Sequence, residues 1–289
     1  MATLVIGGTG RVGSLIVSNL LDRGEAVALL TRSAERAATA PAGAQAVVGN
    51  LADPPSLQGI FSGCDRLMLI TASHPDETVH GQNAVRAAKK AGVRKIVYSS
   101  VIMPPGSQVI PNFAAKIPIE TAVRESGVPF TILRPSSFFQ NDLWYQDAML
   151  QFGVYPQPIG PLGLPRIDIR DIADGAVNAL LSTKLDGKTI HLCCPDILNG
   201  KDTARIWSEH LKTEINYMGD DLDQWGQAAA QFMPGWMVHD LKIMYGFFQK
   251  NQFKIEAREA ADAESAIGHS PRRYPDFVTE TAAVWRAGR

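Results

Sequence analysis

Gly7, Gly10 and Gly13 stand three apart in the run Gly7-Gly8-Thr9-Gly10-Arg11-Val12-Gly13, directly after the apolar residues 3–6 and at the start of an amphipathic stretch. A turn this tight needs positions without a Cβ, so that backbone N–H groups and a helix N-terminus can meet a pyrophosphate. Glycines alone carry little weight; a strand, glycines and an amphipathic helix in succession point to a dinucleotide site. The contacts expected there are Gly7, Thr9, Gly10, Arg11, Val12 and Gly13. Arg32 follows the second strand-like run, where such a fold reads the adenosine ribose. An acid at that place accepts from the 2′-hydroxyl of NAD, whereas an arginine suits the 2′-phosphate of NADP. The stretch Leu29-Leu30-Thr31-Arg32-Ser33 has no acid before Glu35, so the expected cofactor is NADP(H). Asn50, after the third strand-like run, is placed either to contact the adenine or to serve as a turn residue.

Further along, Thr71, Ser99 and Ser100 fall at the carboxyl ends of strand-like runs, the edge where an open α/β sheet binds its ligand. Pro135, Ser136, Ser137 and Phe138 follow another such run and are expected beside the nicotinamide. His74 follows the fourth run on the same side and is a candidate for the substrate pocket, although the six histidines show no metal-ligand spacing and no metal is expected. Two clusters of aromatic residues and methionines, one around Phe138 and Trp144, the other around Trp236, read as packing. They also suit an apolar slot for a flat aromatic substrate.

The elements that position these residues alternate. Strand-like runs at 3–6, 26–30, 46–48, 66–70, 95–98 and 130–133 are separated by helix-like stretches with short connections, the pattern of a parallel sheet covered on both faces. A helix is expected to open at Asp53-Pro54-Pro55 with Asp53 as its cap, and another runs from about 76 to 91. A helix over 171–181, capped by Asp171, leads to a strand at 189–193 that could join the main sheet. This predicts a doubly wound α/β fold in which residues 1–155, with 170–194 returning, form the cofactor half. Residues 156–169 and 195–289 are expected to form a small, mostly helical substrate cap.

Composition excludes several classes. With 289 residues, 45% hydrophobic and 20% charged, the chain can bury a core without staples. Its 28 basic and 29 acidic residues give a net charge of −1 and no reason to bind nucleic acid or an anionic membrane. The first residues enter a strand without a basic leader, and no apolar run approaches the roughly 20 residues of a membrane span. Three cysteines, Cys64, Cys193 and Cys194, make neither a disulfide framework nor a zinc site. A cytoplasmic monomer or homodimer is expected, acting on a small apolar or aromatic substrate.

The glycine turn, Arg32, Tyr98-Ser99-Ser100, Lys116 and the run Gly127-Val128-Pro129-Phe130-Thr131-Ile132-Leu133-Arg134-Pro135 together resemble the NmrA-like atypical short-chain dehydrogenases. Asp168-Ile169-Arg170-Asp171-Ile172-Ala173 continues the likeness. That family contains NADPH-dependent reductases of quinones, aromatic dyes and phenylpropanoids, and regulators that sense NADP(H) without known turnover. The likeness implies that Lys116 holds the nicotinamide ribose and acts as acid or proton relay. The usual Tyr-x-x-x-Lys pair is missing: Asn112 stands four residues before Lys116. Pro118, in the first turn of the next helix, is expected to put Asn112 and Lys116 on different helical faces. The expected activity is hydride transfer from NADPH to a planar conjugated or aromatic acceptor. The alternative is a non-catalytic NADP(H)-sensing regulator, and sugar-nucleotide epimerisation, which relies on the missing tyrosine, ranks third.

Overall fold

The structure is a computed structural model and describes residues 2–288. Six strands open the chain: β1 Ala2–Ile6, β2 Ala26–Thr31, β3 Ala44–Val48, β4 Cys64–Ile70, β5 Lys95–Ser99 and β6 Phe130–Pro135. They lie in the order β3-β2-β1-β4-β5-β6, and the later strand Lys188–Leu192 pairs with β6 as the seventh member. Every pairing is parallel. The order reverses between β1 and β4, which leaves a crevice at the carboxyl ends of those strands.

Period-two alternation assigns the strand residues to two cores. Val5, Val97 and Leu133 point to one face, with Ile16, Leu20, Ile172 and Val177; Leu4, Ile6, Tyr98 and Ile132 point to the other, with Ala84 and Ile119. Burial on both faces is why these strands read as continuous apolar runs. Each such side chain contributes about 1.5–3 kcal/mol. Helix α1 (Arg11–Asp22) lies on the first face beside the helix Ile169–Leu181, and α3 (Glu77–Lys90) lies on the second beside Ile117–Glu125; the short α2 (Ala34–Ala37) intervenes in the chain. The helix Ala257–Ile267 also packs on the first face, against Ile169–Leu181 and the seventh strand.

A third core gathers the aromatic residues of the later chain. Trp207 stacks on Trp285 with ring centroids 4.7 Å apart, which joins the helices Gly200–Leu211 and Tyr274–Ala287. At its centre Asp142, fully buried, accepts from both terminal nitrogens of Arg166 (3.2 and 2.5 Å), the Trp207 indole (3.1 Å) and the Tyr155 hydroxyl (2.9 Å), and also from Tyr274. A buried carboxylate is tolerable only with this density of donors. Among the described residues, no helix is long and apolar enough to cross a membrane.

Two local expectations change. The Asp53-Pro54-Pro55 signal opens only the 3-10 turn Pro54–Leu57, and Asp53 makes no side-chain cap; the chain turns extended at Gln58 and left-handed at Gly59 (φ +82°), which ends the turn. The helix Ile169–Leu181 is capped by Asp168, whose carboxylate accepts from the Arg170 N–H. Asp171 instead accepts from the backbone N–H of Arg272 (2.8 Å) and pairs with its guanidinium, tying the C-terminal chain to this helix.

Candidate functional site

A cavity of about 500 Å³ opens at the carboxyl ends of β1, β4, β5 and β6, on the crevice side of the sheet. Gly7, Gly10, Arg11, Val12 and Gly13 form its floor. Gly7 has φ +81°, and a Cβ there would stand 2.8 Å from the Ile70 carbonyl oxygen; a Cβ on Gly13 would stand 2.1 Å from the Gly7 carbonyl oxygen. The chain makes this turn only with glycine at both positions. Gly10 is the N-cap of α1 and offers no side-chain acceptor, so the first N–H groups of that helix face the cavity without a capping partner. A cradle that side chains would fill, with unclaimed N–H groups at its rim, fits a pyrophosphate. The Arg11 guanidinium donates to the Gln140 carbonyl at 3.0 Å.

Above this floor, Ser136 lines the cavity with a buried hydroxyl oxygen, and Asn112 with a side-chain oxygen, neither with a hydrogen-bond partner among the described residues. Both fit a bound polar group. Lys116 also lines the cavity, but its ammonium is ion-paired with Glu77, and the two side chains are 9% and 1% exposed. The same Glu77 oxygen accepts from the Thr71 hydroxyl at 2.5 Å. Burial pushes the neighbouring Tyr98 phenol well above its ordinary range, so it stays protonated. As Pro118 suggests, Lys116 precedes one helix and Asn112 sits in another, Pro111–Ala114.

The opposite wall is apolar. Phe138, Trp144, Phe113 and Phe248 contribute to it, with Trp236 and Met244 from the helix Gly235–Lys250. Trp144 and Trp236 are 51% and 39% exposed, at the mouth. Gln157 and Tyr245 are polar members of the same wall, and Gln157 donates to the Tyr245 oxygen at 3.0 Å.

Of the residues singled out in the sequence, Thr71, Ser99, Lys116, Ser136, Phe138, Trp144 and Trp236 come together here with the glycine floor. Thr9, Arg32, Asn50 and His74 are exposed and off the cavity wall. Arg32 directly follows β2, beyond the floor where a dinucleotide would extend. Asn50 acts as a turn residue, accepting from the Ala52 N–H at 3.0 Å. His74 accepts from the Asp76 N–H and lies 5.2 Å from the His80 ring. Glu77, Gln157 and Tyr245 escaped sequence reasoning as site residues. An acid in the first turn of a helix reads as dipole complementation, and nothing in its spacing reveals a lysine 39 residues away.

The model of the NmrA-like family matches residues 2–276. A NAD(P)H azoreductase of Xenophilus azovorans is 32% identical over 291 residues, covering 98% of this chain and 99% of the relative. Among solved structures, an NADPH-dependent quinone oxidoreductase of Escherichia coli in complex with NADPH superposes with a TM-score of 0.85 at 20% identity, covering 96% of this chain and 99% of that one. The negative transcriptional regulator NmrA superposes at 0.79 and 20% identity, covering 99% and 97%. At such identities these two structures speak to the fold.

Proposed function

The chain belongs to the NmrA-like family, and from that premise we propose that it is an NADPH-dependent reductase that delivers a hydride to a planar conjugated or aromatic acceptor of the quinone or enone type. The observation that carries this reading is that the glycine floor and the aromatic wall bound one continuous cavity. A cofactor on the floor and a flat acceptor against Trp144, Trp236 and Phe138 would therefore meet inside it. The azoreductase relative, similar along its whole length, supports reductive chemistry on a conjugated substrate.

NADPH, when bound, supplies the hydride; this chain's residues bind, orient and exclude water. The first N–H groups of α1 hold the pyrophosphate. Arg32 reads the 2′-phosphate. Ser99 and Ser136 hold the nicotinamide end. Lys116 has three N–H donors, of which Glu77 takes one, and the remainder are available to ribose hydroxyls. With a carboxylate already on it, Lys116 orients the cofactor rather than relaying protons. The aromatic wall stacks the acceptor and keeps the transfer dry. In this arrangement residues 1–155 with 170–194 carry the cofactor, and 156–169 with 195–289 shape the acceptor's side.

Steady-state oxidation of NADPH, followed by the near-ultraviolet absorbance of the reduced nicotinamide, tests this with a panel of quinones, enones and azo dyes. Turnover with at least one planar acceptor and none with saturated ketones is expected. One observation favours a second reading: the cavity's lysine is neutralised and the partner tyrosine is missing. A non-catalytic sensor of NADP(H) would show no turnover, but a different protease-protection pattern with NADP⁺ and with NADPH.

A further inference from the structure

Tyr245 has a hydroxyl whose oxygen accepts from the Gln157 amide, in the wall of the cavity. The orientation follows from the Gln157 amide. Its oxygen accepts from Arg166 (3.2 Å), whose guanidinium the buried Asp142 holds in place. The NH₂ end must then face Tyr245 and donate to it. The Tyr145 hydroxyl stands beside it, and burial holds that phenol protonated. The ring cannot swing away, because Trp225 and Phe248 pack edge-on against it at 5.0 and 6.4 Å. A phenol so placed in the wall of an apolar cavity can turn its O–H to a polar atom of whatever fills that cavity.

We propose that Tyr245 donates a hydrogen bond to the carbonyl or azo heteroatom of the acceptor, and so selects acceptors that carry such an atom at the edge of a flat ring system. This rests on the reductase reading of the cavity. In the reaction, a hydride leaves the reduced nicotinamide, which becomes oxidised. The acceptor's conjugated system gains the hydride's two electrons, and negative charge collects on the heteroatom. Tyr245 stabilises that charge while keeping its own proton, because burial makes its phenolate unfavourable; solvent supplies the final proton. Preorganised donors of this kind work best in a water-poor site.

Binding, rather than turnover, tests the assignment. Calorimetry is carried out on the full chain with NADP⁺ present, using 2-acetylnaphthalene and its hydrocarbon counterpart 2-ethylnaphthalene. The wild type should bind the ketone about tenfold tighter, the worth of one hydrogen bond. Tyr245→Phe should erase the preference while holding the hydrocarbon's affinity within about twofold, which also shows the cavity intact. A second readout needs no variant: the infrared carbonyl stretch of the bound ketone should fall below its value in an apolar solvent. Equal affinities in the wild type, a preference that survives in Tyr245→Phe, or an unshifted carbonyl stretch overturns the proposal. NADP⁺ cannot donate a hydride, so these results stand apart from whether the protein is a reductase. NADPH oxidation without ketone preference would remove Tyr245 and leave the reductase reading in place.

Discussion

Lys116 and Glu77 form an ion pair across the rim of the cavity, joining the start of the helix Ile117–Glu125 to the first turn of α3, with both side chains withdrawn from water. Thr71, at the end of β4, completes the cluster through the same carboxylate. The adjoining β4 and α3 are thereby held to a helix that starts some 39 residues later, at the place proposed for the nicotinamide ribose.

The first prediction is thermodynamic. Removing one partner of a buried pair leaves an uncompensated charge and costs about 3–5 kcal/mol. Lys116→Ala should lower the unfolding free energy by that order in denaturant titration, and the double variant Lys116→Met/Glu77→Gln should recover most of it. A single variant as stable as the wild type would mean that the pair does not form in solution.

A methyl group at position 13 tests the cradle. Its Cβ would meet backbone at 2.1 Å, and a carbonyl cannot move aside as a side-chain tip can. Gly13→Ala should weaken NADPH binding by at least about tenfold, because forcing extra volume into a packed site costs about 1–3 kcal/mol. Calorimetric titration at wild-type affinity would show that the turn does not hold the pyrophosphate.

Arg32 should set the choice of cofactor. A charged hydrogen bond to the 2′-phosphate contributes about 1.5–3 kcal/mol, so NADPH should bind at least about tenfold tighter than NADH. In Arg32→Ala the gap should shrink towards equality. Equal affinities in the wild type would remove the assignment.

Glu120 predicts a pH dependence. Burial opposes its ionisation, but hydrogen bonds from Arg134 and Arg124 outweigh burial and hold the carboxyl below its ordinary range; Arg134 binds it through two nitrogens at 2.9 and 2.7 Å. A carboxyl depressed in the folded state contributes stability above its unfolded pKa, and that contribution is lost as pH falls through the folded value. Glu120→Gln should therefore be less stable than the wild type at neutral pH by on the order of 3 kcal/mol. The difference should fade on acidification below the ordinary glutamate range. A difference that grew as pH fell would reverse the sign and refute the account.

How much of this could be read from sequence depends on the range of the physics involved. The glycine turn was legible because its requirement is local: three positions without a Cβ between a strand and a helix admit few other uses. The parallel sheet was legible because two-sided burial writes continuous apolar runs such as Leu67-Met68-Leu69 into the strands. Asp53 and Asp171 read as caps because an acid ahead of a helix usually is one, but the extended Gln58 and left-handed Gly59 end the first helix after one turn and Arg272 claimed the second acid. Lys116 could be placed in the cavity, but not its neutralisation, since that depends on how α3 docks beside the following helix. Asp142, Gln157 and Tyr245 were least accessible, because their alignment is set by three separate segments meeting in the third core.

The central claim is that a cofactor on the glycine floor and a flat acceptor on the aromatic wall react within one cavity. A single-turnover experiment tests it most directly: protein in excess over NADPH is mixed rapidly with a planar enone or quinone, and the reduced nicotinamide's absorbance is followed. The account predicts decay of bound NADPH at a rate that rises with acceptor concentration and then saturates, as an occupied binding site requires. Decay no faster than in protein-free solution with every planar acceptor tried, while NADPH is demonstrably bound, would contradict it.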